Sequence, residues 1–172
     1  KIPFLFSNRT YFFKTLSSFK KNILLILGAS FQSKCYPVEK FAEVVKEIDA
    51  NFLIIWGDQK EKIMANKIKS LSPKINICEK LSLGALISLI SQVDLVLGPD
   101  TGPTHMAWAL NKSSITLFGS TPGHRNSYIT TNNRIIESNS EVNPYKIDKN
   151  DYSIEDIDVQ EIVQVYKDLL TQ

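Results

Sequence analysis

The chain has 172 residues, 43% apolar and 22% charged, with 20 Lys and Arg against 18 Asp and Glu for a formal charge of +2. That length suits one domain with a real hydrophobic core, and the composition is ordinary for a soluble globular protein. The near balance of charge argues against a nucleic-acid binder that works through bulk charge, while leaving room for a local anion site.

The opening segment Lys1–Asn22 mixes six aromatics with Arg9, Lys14, Lys20 and Lys21 and shows no clean period. It is expected to be a connecting segment that packs on the domain; a membrane-surface role for its aromatics and lysines is the alternative. Ile23–Leu27, ending in Gly28, is a short continuous apolar run that suits a strand buried on both faces. It is far shorter than the roughly 20 residues that span a bilayer, and no signal-peptide pattern is present. Pro37 suits a helix's first turn, and Val38, Phe41, Val45 and Ile48 follow at helical spacing.

The unit then repeats. Strands are expected at 52–56, 75–77, 93–97, 114–118 and 134–136, and helices at 60–71, 83–91 and 103–110. Ser82 is a candidate N-cap for the 83–91 helix, and Ser153 for a last helix running to about Leu170. The Asn-rich stretch 130–151 reads as a long loop. Alternating strands and helices imply an α/β fold, a Rossmann-like parallel sheet with helices on both faces. Cys35 and Cys78 form neither a CxxC pair nor a metal-ligand spacing. Two spectator thiols in a reduced cytosolic setting are expected, with one bridge as the alternative.

In open α/β sheets, ligands bind outside the carboxyl ends of the strands. Four loops lie there: 28–37, 57–61, 98–105 and 119–126. The third is the richest, Gly98-Pro99-Asp100-Thr101-Gly102-Pro103-Thr104-His105. Gly98 and Gly102 suggest a sharp turn and close ligand approach. Pro103 suits a helix start, so the N–H groups of Thr101, Gly102, Thr104 and His105 would point outward as an anion site fit for a diphosphate. Thr101 and Thr104 would add hydroxyls, and His105 a further donor. The same residues also suit a plain helix cap.

In the first loop, Lys34 is either a solvated surface lysine or a point charge for a pyrophosphate, with Ser30 and Ser33 beside it. In the second, Asp58 or Glu61 could accept from a ribose, and Glu61 could equally complement a helix dipole. The fourth carries Ser120, Thr121 and Arg125, the last a second positive contact. There is no P-loop, no GxGxxG after the first strand, no GxSxG elbow and no triad, which weakens kinase, GTPase, simple dinucleotide and hydrolase readings.

Five blocks together resemble a known family: Gly28-Ala29-Ser30 with Lys34 and Pro37, Trp56-Gly57 with Glu61, Leu81-Ser82-Leu83, Asp100 to Leu110, and Thr116 to Pro122. They look like the carboxyl-terminal half of the lipopolysaccharide heptosyltransferases, glycosyltransferase family 9, from about residue 23 onward. The Asp-Thr-Gly and Leu-Ser-Leu segments look more like the heptosyltransferase I branch than the heptosyltransferase II branch.

The resemblance implies a GT-B architecture, with 1–22 as interdomain connector and 23–172 as the nucleotide-sugar domain. It implies ADP-heptose as donor substrate, no metal and no other cofactor, and inverting transfer of L-glycero-D-manno-heptose to the Kdo of lipid A-Kdo. By matched position, Lys34 lies near diphosphate and sugar, and Ser30 at the phosphates, with Ala29 where some members carry a second hydroxyl. Glu61 holds the ribose, Leu81 meets the adenine, Asp100 meets heptose hydroxyls, and Thr101, Gly102 and His105 form the phosphate-binding helix start. Lys34 and Asp100 are the expected catalytic pair, stabilising leaving group and sugar. The family's general base belongs to an amino-terminal domain, so transfer by these residues alone is not expected. A cytoplasmic place, with peripheral contact at the inner membrane face, goes with this reading. Two alternatives remain: a related transferase for another nucleotide sugar, and a non-catalytic Rossmann-like anion-binding module.

Overall fold

A computed structural model of the chain describes residues 13–123, 129–140 and 147–170. Six strands form one parallel sheet: β1 (Asn22–Leu25), β2 (Asn51–Ile54), β3 (Ile75–Ile77), β4 (Leu95–Pro99), β5 (Ser113–Phe118) and β6 (Asn133–Glu137), in the order β3-β2-β1-β4-β5-β6. The helices are α1 (Val38–Glu47), α2 (Gln59–Leu71), α3 (Leu83–Gln92), α4 (Gly102–Ala109) and α5 (Val159–Leu170), with short 3-10 turns at Gln32–Lys34 and Ser153–Asp156.

The continuous apolar strands follow from burial on both faces. Ile23, Leu25, Phe52, Ile54, Leu95 and Leu97 point into a core with Phe41 and Val45 of α1, Ile68 of α2 and Ile162 of α5. The intervening Leu24, Leu53 and Val96 face the other way, onto Leu89 and Ile90 of α3 and Ala107 of α4. The expected fold class is therefore the observed one. Cys35 and Cys78 are buried free thiols; burial raises both, Cys78 to about 11.

Two expected boundaries are corrected. The fourth strand begins at Leu95, not Val93, because α3 runs on through Gln92 and Val93 ends it, its N–H reaching Leu89 O at 3.1 Å. Ser153 does not cap the last long helix. Its hydroxyl bonds Ser138 Oγ at 2.8 Å. The chain makes a 3-10 turn and breaks before α5, where Asp158 Oδ1 takes the Gln160 N–H at 3.0 Å. The break lets both Ile154 and Ile157 reach the core.

At the sheet edge away from the strand carboxyl ends, asparagines form a ladder. Asn51 Nδ2 donates to Asn22 Oδ1 at 2.7 Å, and Asn76 Nδ2 to Asn51 Oδ1 at 2.9 Å. Asn51 Nδ2 also donates to Thr15 O, and Asn22 Nδ2 to Ser17 O. With Phe13 and Leu16 partly buried against the α3–α4 core, the ladder ties 13–17 to the sheet. Asn22, placed at the end of the connecting segment by sequence, opens β1. Asn51→Leu removes three part-buried hydrogen bonds, to Thr15 O and Asn22 Oδ1 and from Asn76 Nδ2, and is expected to cost about 2 kcal/mol, read as a lower urea midpoint at unchanged m-value.

Candidate functional site

In this strand order β1 and β4 are neighbours whose following helices, α1 and α4, cover opposite faces. The chain thus parts above their carboxyl ends and leaves a crevice. Lys34, Asp100 and His105 meet there.

Asp100 is the hub. It is 6% exposed and Lys34 8%. Lys34 Nζ lies 2.8 Å from Asp100 Oδ2 and His105 Nε2 2.8 Å from Oδ1. The Thr121 hydroxyl donates to Oδ2 at 3.2 Å. Burial alone would push the Asp100 carboxyl up, but hydrogen bonds and charge from Lys34 and His105 outweigh it and hold it below the usual carboxylate value. The site therefore carries a fixed anion that steers two cationic or donor groups toward one point. The open choice for Lys34 resolves in geometry: its ammonium is buried on a carboxylate, not spread on the surface.

Thr101 N-caps α4 and Pro103 sits in its first turn. The expected set of outward donors is smaller than four. The Thr101 N–H goes to Thr104 Oγ1 at 3.2 Å, and the His105 N–H to Thr101 O at 3.2 Å. Thr104 is fully buried, its hydroxyl shared between Pro99 O and Thr101 O. Thr104 therefore secures the turn from inside and offers a ligand no hydroxyl. Gly102 opens α4, where an N–H has no intrahelical acceptor, and a Cβ built on it would meet open space.

Gly98 also plays another part than expected. No glycine has positive φ, so it makes no sharp turn. An ideal Cβ on it would lie 2.6 Å from Ile26 Cβ and 2.8 Å from Ile26 O. Its bareness lets β4 lie against the extension of β1.

Beside the hub, Gly28, Trp56, Gly57, Glu61, Leu81, Leu86, Thr101 and Pro103 are among the residues lining a cleft of about 190 Å³. That is less than the roughly 300–1,000 Å³ of a pocket enclosing a whole ligand. It suits one part of an extended ligand, with the remainder lying against α4. Asp58 caps α2, its Oδ1 accepting the Glu61 N–H at 2.9 Å, and it is not among the residues that line the cleft. Glu61 turns back into the cleft, where Gly57 N–H donates to Oε2 and Oε1 fills the space beside Gly28. Leu81 forms an apolar wall, and Ser30 stands exposed on the loop after β1.

The structure thus brings Lys34, Asp100 and His105 together, places Thr101 and Gly102 at the adjoining helix start, and sets Glu61 and Leu81 in the cleft next door. Among the described residues, Ser30 makes no hydrogen bond to the cluster. Arg125 lies outside the described residues. Sequence reasoning missed Trp56 as a cleft wall, its Nε1 anchored on Cys78 O at 2.9 Å. It also did not pair Thr121 with Asp100; the signal was that β5 follows β4, which puts their loops side by side.

Comparisons with known proteins agree with one another. A family model described as Glycosyltransferase family 9 (heptosyltransferase) matches residues 7–153. Lipopolysaccharide heptosyltransferase 1 of Campylobacter coli is 39% identical over 164 residues, covering 90% of this chain and 48% of that protein. Among solved structures, E. coli ADP-heptose lps heptosyltransferase II aligns with a TM-score of 0.70 at 21% identity, covering 91% of this chain and 48% of that one. E. coli heptosyltransferase WaaC with ADP gives 0.68 at 16%, covering 86% and 43%. At those identities the structural likeness speaks to the fold. The chain spans about half the length of the Campylobacter coli relative.

Proposed function

Because the chain belongs to glycosyltransferase family 9, the heptosyltransferases, we propose that its crevice binds ADP-heptose and serves as the donor half of an inverting transferase of the lipopolysaccharide inner core. The observation that carries the reading is the Lys34–Asp100–His105 cluster at the start of α4, beside a cleft that holds one carboxylate.

In this reading adenine lies against Leu81 and the apolar cleft wall, and Glu61 accepts from the ribose. The diphosphate rests on the Gly102 amide, with Lys34 supplying charge, His105 a hydrogen bond, and the exposed Ser30 hydroxyl at its edge. Asp100 aims those groups and borders the sugar. In transfer, the bond between the anomeric carbon and the donor phosphate oxygen breaks, and ADP leaves with the electron pair. Lys34 and the helix start meet the charge that develops there. The acceptor oxygen bonds to the opposite face of the sugar, and its proton passes to a base. That base, and the lipid A-Kdo acceptor that brings the reaction to the inner membrane face from the cytoplasm, belong to a second Rossmann-like half. The doubled length of the Campylobacter coli relative supports this.

Calorimetric titration tests the reading. ADP and ADP-heptose should bind saturably at millimolar concentration or below, and UDP more weakly. Lys34→Ala should weaken ADP binding at least tenfold, about 1.4 kcal/mol. A folded chain that ignores ADP at millimolar concentration, or prefers UDP, overturns it.

A further inference from the structure

His105 and Trp108 stand three residues apart on α4 and share one side of the helix. Their rings stack, with centroids 4.4 Å apart and planes 20° from parallel. The His105 side chain is 44% exposed, so core packing does not hold it. Asp100 Oδ1 takes one ring nitrogen at 2.8 Å, which fixes one edge of the imidazole but leaves its plane free to roll about that bond. The indole fixes the plane. Trp108 belongs to neither hydrophobic core; Thr104 and Ala107 are the residues that α4 buries. Trp108 instead lines a surface cleft with His105. Asp100, itself paired with Lys34, faces the same ring from the β4–α4 turn.

Resting on the donor-binding reading, we propose that Trp108 is a positioning residue: it holds the His105 ring with one nitrogen on Asp100 and the other turned to the donor diphosphate. Trp108 touches no ligand in this arrangement and acts through His105.

The test compares Trp108→Leu, which removes the π face, with Trp108→Phe, which keeps one. ADP affinity of the 172-residue chain should fall about fivefold in Trp108→Leu and less than twofold in Trp108→Phe. In a His105→Ala background, Trp108→Leu should add nothing. Without nucleotide, NMR of the chain's two histidines should show the His105 ring protons displaced upfield by the indole, a displacement lost in Trp108→Leu and largely kept in Trp108→Phe. An equal loss of affinity with and without His105 marks a purely structural residue and overturns the proposal. So does a Trp108→Leu chain that fails to fold, or one whose His105 signals do not move. If the wild-type chain binds no ADP, the donor reading falls, while the NMR comparison still decides whether Trp108 sets the ring.

Discussion

Asp100→Ala is expected to lower folding stability by about 3 kcal/mol and to abolish measurable ADP binding. The stability loss comes from what stays behind. Lys34 remains 8% exposed, its ammonium stripped of the carboxylate 2.8 Å away, and His105 and Thr121 lose the acceptor they share. For a chain of this size that corresponds to a melting temperature about 6–12 °C lower. A double variant, Asp100→Leu with Lys34→Met, removes both charges and should recover most of the stability, since apolar replacements of buried ion pairs are often neutral. It should recover no ADP binding. A single variant that melts within a degree of wild type would show that the pair is not coupled.

The same carboxylate sets a pH dependence. Its folded pKa lies below the usual value, so the unfolded chain takes up the proton first as pH falls. Its stabilisation is complete above about pH 5 and disappears as pH drops through the unfolded and then the folded value, below about pH 4. Asp100→Asn should flatten that acid limb of the stability curve, which urea titrations across pH would read.

The parts of the molecule that sequence makes legible are local. Ser82 accepts the Ala85 N–H at 3.3 Å, as its place before an apolar helix implied. Pro103 stands in the first turn of α4 for the same kind of reason. What sequence leaves open depends on residues far apart in the chain. Lys34 looks like any surface lysine until the fold brings in Asp100, 66 positions later. Asp58 and Glu61 are equivalent readings of one loop. They separate because Asp58 caps α2 outside the cleft lining, while Glu61 finds room in the cleft where Gly28 has no side chain. Thr104 fails as a ligand donor because the cap turns it inward, which depends on a three-residue turn geometry and not on residue type. Ser153 fails as a cap because two isoleucines, 154 and 157, both need the core.

Gly98→Ala and Gly28→Ala should have opposite consequences, although both glycines sit at strand ends beside the site. At Gly98 the new methyl meets Ile26 Cβ at 2.6 Å and the Ile26 carbonyl oxygen at 2.8 Å. Neither can move without parting β1 from β4, where Ile26 N–H donates to Leu97 O at 2.9 Å. The expected cost is about 3 kcal/mol, the upper end of ordinary overpacking, seen in urea unfolding. At Gly28 the methyl meets Glu61 Oε1 at 1.8 Å and its carboxyl carbon at 2.4 Å. These belong to the far end of a flexible side chain, which can swing away, so the fold should lose no more than about 1 kcal/mol. The carboxylate, however, leaves the cleft and its Gly57 amide. If Glu61 accepts from the ribose, a charged hydrogen bond is lost and ADP affinity should fall at least about tenfold. Glu61→Gln, which keeps the shape but not the charge, should fall partway. A Gly28→Ala chain that binds ADP as tightly as wild type would remove Glu61 from the donor site, while leaving the role of Lys34 and Asp100 to be judged on their own variants.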